Sequence, residues 1–449
     1  MTADQTKVTL FESVGLLKGD GADATDNQNI FVEGDRIVHV GAGMPTSLKP
    51  DRIIDGTGSW AAPGLVNSHT HGVVLGAPLF SSGAKALPHR TVLANLSRHL
   101  SQGTTTVLSL DGFASSRQVL ETDRSTPLNV RTGWTHYSEA VASAGALDGT
   151  GLNVAASDSF RGPGDSAAVG EGGSGATLGG GVTDYKYLPE AIESEVQVTV
   201  SETEARLLKE AVLGRQIHPP DFDPEETERV LRQIGLATRS AAWAKDLIER
   251  SVLPGFELAV AAIEAGAKIA SRELLPFVVH TAKPSAAILT ELDLGPLLVA
   301  GHANHPSLEQ GEALKLARYL KSEEARVDIS TFDTLEGHGR DRELGVFFRF
   351  LEEGLADTVS TDYGGGNHSA LLSVLKLAVD AGAVTLAKAV SMVTHGPASI
   401  FPMLAPERGL LEPGFVADLV LIDRDDISNV RAVMVSGDFV YGDLESLLA

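Results

Sequence analysis

Between residues 63 and 404, nearly continuous apolar runs alternate with amphipathic stretches. This alternation restricts the chain to a parallel α/β architecture, because strands buried on both faces need helices to cover them. The runs are Leu65 to His69, Thr104 to Ser109, Leu128 to Trp134, Pro276 to His280, Leu297 to His302, Arg326 to Ser330 and Thr358 to Asp362. An eighth strand is required between Trp134 and Pro276. Leu308 to Leu320, Leu344 to Glu353, Ala370 to Ala381 and Leu386 to Val393 carry helical periodicity and supply outer helices. The expected closure is a (β/α)8 TIM-type barrel.

The two ends read differently. Lys7 to about Ser59 consists of short strands and tight turns, with Gly34-Asp35 placed to turn a hairpin inside Ile30 to Val40. Ala417 to Ile422 and Val430 to Gly437 return to that style. The expected organisation is a composite β-sandwich domain from residues 1–62 and 405–449 and a barrel domain over 63–404, with a large insertion at about 140–240. Within that insertion, Gly170 to Gly175 and Gly179 to Gly181 are too glycine-dense for a regular helix or strand. They lack the Lys-Ser/Thr ending of a phosphate-cradling loop, and the tract reads as a loop over the active site.

Composition excludes several classes. At 449 residues and 43% hydrophobic content the chain can bury a large core, and a formal charge of −23 disfavours nucleic-acid or anionic-membrane partners. With no cysteine, any bound metal must be held by nitrogen and oxygen. No run of about 18 apolar residues occurs, and Met1 to Gln5 lacks the basic and apolar regions of a signal peptide, so a cytoplasmic protein is expected.

The chemistry gathers at strand ends. His69 and His71 end the first run, and side chains at i and i+2 of a strand share a face. His280, His302 and Asp362 end later runs, and in a barrel the C-terminal strand ends meet around one axis. One histidine at a strand end is ordinarily just hydrogen-bonded; five ligand-type residues at matching positions point to metal. They exceed the three protein ligands of a single catalytic zinc and suggest a two-metal site.

These motifs resemble the amidohydrolase superfamily, which shows His-x-His after the first barrel strand, a carboxylated Lys or a Glu after the fourth, His after the fifth and sixth, and Asp after the eighth. Gly64-Leu65-Val66-Asn67-Ser68-His69-Thr70-His71 and the segment from Pro397-Ala398-Ser399 through Arg408 to Val420 carry the likeness. The resemblance implies that His69, His71 and Asp362 bind one divalent ion and that His280 and His302 bind a second. Zinc is the first choice, with iron, manganese or nickel as alternatives. The ligand between them should precede His280 by one βα unit of about 30 residues, which selects Glu249, as in the enamidase-like branch, then Lys245, then Lys186.

By the same resemblance, the chain would cleave an amide C–N bond of a small molecule, in a cyclic amide or enamide, by a metal-activated hydroxide with Asp362 as acid/base. Dihydroorotase-like and imidazolonepropionase-like branches are also similar. His136 is a candidate for polarising the substrate carbonyl, and His305, His338 and His368 are candidates for binding substrate. His39, His89 and His99 read as structural or solvated. Deamination of a nitrogen heterocycle is an alternative, but the deaminases generally carry a Glu shortly after the fifth-strand His, where this chain has Thr281-Ala282-Lys283-Pro284. Ester or lactone hydrolysis is another alternative, and a catalytically inactive assembly scaffold is the different-class one. A homo-oligomer is expected.

Overall fold

The computed structural model describes residues 7–76, 87–145, 165–173, 187–335, 344–362 and 370–448. Strands β1 (Val8–Leu16), β2 (Thr25–Glu33), β3 (Arg36–Gly41), β4 (Arg52–Asp55) and β5 (Ser59–Pro63) come first. Gly34-Asp35 turns the antiparallel β2–β3 pair, with Glu33 opposite Arg36.

The barrel follows: β6 (Leu65–Thr70), β7 (Thr104–Ser109), β8 (Asn129–Trp134), β9 (Ala168–Gly172), β10 (Phe277–His280), β11 (Leu298–Gly301), β12 (Arg326–Ser330) and β13 (Thr358–Ser360). These eight lie side by side in chain order and pair in parallel. The last strand meets the first where Asp362 N–H donates to the His69 carbonyl at 2.9 Å and the Asn67 amide donates to Thr361 Oγ1 at 2.8 Å. Strands β6, β7 and β11 are buried along their whole length, on both faces, so their burial shows no alternation.

Strands β14 (Leu419–Asp423), β15 (Val430–Val435) and β16 (Asp438–Gly442) complete the chain-end sheet, in the order β16-β15-β14-β5-β1-β2-β3 with β4 beside β1. Its inward residues, among them Phe11, Ile30, Ile54, Leu419 and Met434, form their own core. Both chain ends thus build one sheet, next to the barrel. Among the described residues, no helix is long and apolar enough to cross a membrane.

The eighth strand corrects the reading of the glycine tract. Ala168-Val169-Gly170-Glu171-Gly172 is a fully buried barrel strand. Its glycines are required by close approach: a Cβ on Gly170 (φ +105°) would lie 2.3 Å from the Val278 carbonyl oxygen, and one on Gly172 would lie 2.6 Å from Phe277 Cζ. What remains of the tract, residues 174–186, lies outside the described residues.

Between β9 and β10 the chain builds a helical cap. Helices Leu188–Val196, Glu202–Leu213 and Pro224–Gln233 close a separate core with Ile192, Leu208, Val212, Leu231, Ile248 and Val252. The 33-residue helix Ala241–Glu273 joins this core to the barrel. Before Pro254 its buried residues, Ala244, Leu247, Ile248 and Val252, face the cap; after it Ala259, Ala262, Ile263, Ala267 and Ala270 face the barrel. Both sets repeat every three or four residues, which keeps each on one helix face.

Candidate active site

His69 and His71 sit at the end of β6 and just beyond it, both buried, with ring centroids 5.3 Å apart. His280 ends β10, His302 follows β11, and Asp362 follows β13. Two of these leave the strand in left-handed backbone, His302 at φ +38° and Asp362 at φ +56°. Such values are uncommon for residues other than glycine and cluster at functional sites, where the surrounding structure enforces them. Here the enforcing bonds are Asp362 N–H to the His69 carbonyl and His302 N–H to Asp328 Oδ2 at 3.3 Å.

The carboxylate that joins these histidines is Glu171, from β9. Its Oε1 lies 3.2 Å from His280 Nδ1 and 3.0 Å from His302 Nε2, and its Oε2 lies 3.5 Å from His69 Nε2 and 3.4 Å from His71 Nε2. Each oxygen therefore serves one histidine pair. Asp362 Oδ1 completes the His69–His71 side at 3.1 and 3.6 Å.

Glu249 stands elsewhere. It lies within the long helix and pairs with Lys245 one turn before it, so neither of these candidates joins the histidine cluster. The spacing argument assumed a single βα unit before β10. In the fold, Glu171 and His280 are 109 residues apart, because the cap lies between their strands. Lys186, His338 and His368 lie outside the described residues.

The cluster fits divalent cations on its own chemistry. Ligands at about 2.1 Å from one ion, separated by roughly tetrahedral to octahedral angles, lie about 3.0–3.4 Å from one another, which is the range of most of these contacts. Neither ring nitrogen of buried His69 makes a well-aligned hydrogen bond, although Nε2 faces two carboxylates. Its lone pair and those oxygens converge on a shared point rather than on a proton. Among the described residues, three sets of donor atoms, His69–His71–Asp362, His69–Glu171–His302 and His302–Asp333–Asp362, are each close enough to embrace an ion.

Electrostatics agree. Burial disfavours charge on His69, yet the Asp362 and Glu171 carboxylates outweigh it and push the imidazole up to about 9. Burial likewise opposes ionisation of Glu171, but His69, His280 and His302 hold it well below the usual carboxylate range. Among the described residues, the cationic partners of these two acids are histidines. Divalent cations would supply the same positive charge while leaving the imidazoles neutral.

Carboxylates stand behind two of the histidines. Asp111, beyond β7, lies 3.1 Å from His71 Nδ1, and Asp333 lies 3.4 Å from His302 Nδ1. His305 packs its ring 5.4 Å from His280 and 5.5 Å from His302. Its Nδ1 accepts from Ser307 N–H at 3.1 Å, which leaves the ring proton of the neutral form on Nε2. The loop bearing His305 is clasped by cap residue Arg215, which donates to the Ser307 carbonyl at 2.7 Å and to Glu312 at 3.0 Å. His136 follows β8 with its ring 5.9 Å from Phe113 and 6.3 Å from Trp134, and burial pushes it down to about 4. Asp111, Glu171 and Asp333 escaped the sequence reading. Glu171 carried a readable signal, since Ala167-Ala168-Val169 leads into it as other apolar runs lead into His69 or His280.

Comparison with known proteins agrees with this geometry. Residues 316–440 match the amidohydrolase family. Over that stretch the chain is similar to members of that family. A 5-methylthioadenosine/S-adenosylhomocysteine deaminase of Caldanaerobacter subterraneus subsp. tengcongensis is 39% identical over 79 residues, 18% of this chain and 17% of the relative. An imidazolonepropionase of Stenotrophomonas maltophilia is 42% identical over 71 residues, 15% of this chain and 17% of the relative. The matched stretches thus span about a sixth of these curated relatives. In fold, the chain is similar to a β-aspartyl dipeptidase from Fervidobacterium islandicum AW-1, with a TM-score of 0.56 at 17% identity over 99% of this chain and 98% of the other.

Proposed function

We propose that this protein is a binuclear metal-dependent hydrolase that cleaves an amide C–N bond in a small cyclic amide or enamide. The observation that carries this reading is Glu171, whose two oxygens are divided between the His69–His71 pair and the His280–His302 pair. His69, His71 and Asp362 would hold one cation, His280 and His302 the other, with Glu171 between them. Bound divalent cations would lower the pKa of a water toward neutrality and polarise the scissile carbonyl.

The remaining chemistry belongs to the side chains. Asp362, beside His69 Nε2 at 3.1 Å, is placed to accept a proton from the attacking water and return it to the leaving nitrogen. His305, with its proton on Nε2, is suited to donate a hydrogen bond to a substrate oxygen. His136, held neutral by burial, would act as a donor or acceptor rather than as a charge.

Deamination remains the second reading, favoured by the deaminase relative. Against it stands the segment after His280. Thr281 is buried there, and the next charged side chain, Lys283, pairs with Glu312 at 2.5 Å, so no acid stands shortly after His280, within residues 281–290, to shuttle a proton.

Purified protein from metal-supplemented medium should hold two equivalents of a transition metal and open cyclic amides, and Asp362→Asn should abolish turnover. Absence of stoichiometric metal, together with an Asp362→Asn variant as active as the parent, would sink the hydrolase reading. Ammonia released from an aminated heterocycle without ring opening would establish the deaminase instead.

A further inference from the structure

Asp111 is buried, and its two oxygens are used in different ways. Oδ2 receives two donors, Gly72 N–H at 2.9 Å and the Ser109 hydroxyl at 3.1 Å. Oδ1 faces His71 Nδ1 at 3.1 Å, on the far side of the ring from Nε2, which looks toward Glu171 and Asp362. An ionised carboxylate can only accept, so the proton of a neutral His71 must sit on Nδ1 and the lone pair on Nε2. A cation can be bound only through that lone pair.

We propose that Asp111 is the positioning residue of the first ligand pair, fixing both the ring orientation and the tautomer in which His71 can take a cation. The inference rests on the metal reading above and adds to it a residue that acts through a histidine.

The two donors on Oδ2 make the idea unusually easy to test, because they dictate how an amide would sit. In Asp111→Asn, the amide oxygen must remain under Gly72 N–H and Ser109 Oγ–H, which turns the NH2 group onto His71 Nδ1. That donor drives the ring proton to Nε2, where it points into the site and blocks the ligand. Asp111→Ala removes the constraint without enforcing the wrong tautomer. For positioning through the tautomer, the conservative amide is therefore the worse variant. A carboxylate that only braced the Gly72 turn would give the opposite order, since Ala loses every hydrogen bond and leaves a void.

The experiment is zinc titration of the full chain against a competing chelator, with the metal-free fold checked by circular dichroism and thermal unfolding. The expected result is a loss of about 100-fold in affinity for one of two zinc equivalents in Asp111→Asn and about tenfold in Asp111→Ala, the range for groups that orient a metal-binding histidine. Unchanged affinity in both, or a weaker Ala variant than Asn variant, would overturn the inference. If Asp111→Asn does not fold, Ser109→Ala, which strips one bracing donor from Oδ2 and leaves Oδ1 on His71, is set beside Asp111→Ala: parental affinity in the first with a tenfold loss in the second supports the inference, and equal losses refute it. A parent chain that takes up no zinc, iron, manganese or nickel would overturn the metal reading itself, and this inference with it. Two tightly held equivalents beside indifferent variants would overturn only the role of Asp111.

Discussion

Glu171 and Glu249 are the same side chain in opposite company. Glu171 is 1% exposed and faces four imidazoles; Glu249 is 26% exposed and pairs with Lys245 one helical turn away. Burying a carboxylate costs several kcal/mol unless positive charge is brought to it. On the helix, a lysine brings that charge, and the pair is only half-buried. In the barrel, the charge must come from protonated histidines or from cations, and imidazoles already aimed at a common point are better used as ligands. The difference teaches that the role of an acid in this fold is set by the strand or helix that carries it, not by its spacing from the next histidine.

The largest expected effect breaks the comparison on the barrel side. Glu171→Gln offers one oxygen where two are used, and its NH2 group would turn toward one histidine pair. We expect loss of at least one cation equivalent and a fall in kcat/KM of at least about 10⁴-fold, roughly 5 kcal/mol of transition-state stabilisation. Elemental analysis and steady-state kinetics on the same preparation check it. Retained metal with full activity would remove Glu171 from the centre.

Next in size is the strand that holds Glu171. A Cβ on Gly170 would meet the Val278 carbonyl oxygen at 2.3 Å, and its φ of +105° is foreign to other residues. Backbone strain and overpacking together should make Gly170→Ala less stable by about 3–5 kcal/mol in denaturant unfolding. A variant of parental stability would mean that β9 does not approach β10 so closely.

That strand also marks the limit of what could be read in advance. Seven barrel strands were legible because most are nearly continuous apolar or β-branched runs, and Thr104–Ser109 and Arg326–Ser330 coincide with the expected ranges. His69, His71, His280, His302 and Asp362 were legible because they end such runs. Strand β9 was hidden because tight packing against Phe277 and Val278 selects glycine, which in isolation signals a loop. Glu171 went unread with it, its short apolar lead-in Ala167-Ala168-Val169 masked by the glycines, and the cap then displaced the search onto a helix. Asp111 and Asp333 left no pattern at all, because what identifies them is a contact through space with a histidine ring. The cap was anticipated as an insertion from its acidic, proline-containing stretches, while its separate core required the contacts among Ile192, Leu208, Val212 and Ile248.

The helix that carries Glu249 offers a third test. Ile248 is fully buried in the cap core, whereas Ile263, farther along the same helix, is fully buried in the barrel core. Each Ile→Ala change should cost about 2–4 kcal/mol through lost burial and the cavity left behind. The two should differ in readout: Ile248→Ala should raise hydrogen exchange across residues 188–252 and leave metal content at the parental level, while Ile263→Ala should loosen the barrel wall beneath β9 and β10. Equal exchange patterns would show that cap and barrel unfold as one unit.

The smallest effect is expected at Glu249 itself. Its pairing with Lys245 is a half-buried i,i+4 interaction worth about 0.3–0.5 kcal/mol, with solvent screening both groups. Glu249→Gln should therefore change stability by less than about 0.5 kcal/mol and leave both cation equivalents in place, with kcat/KM within about twofold of the parent. The value of so quiet a variant lies in its contrast with Glu171→Gln, which makes the identical chemical change. If the two lose metal or activity alike, position in the fold does not decide the role of these acids, and the assignment of Glu171 as the joining ligand fails. A silent Glu249→Gln beside a metal-depleted Glu171→Gln leaves the difference to one cause, the four imidazoles that surround one carboxylate and not the other.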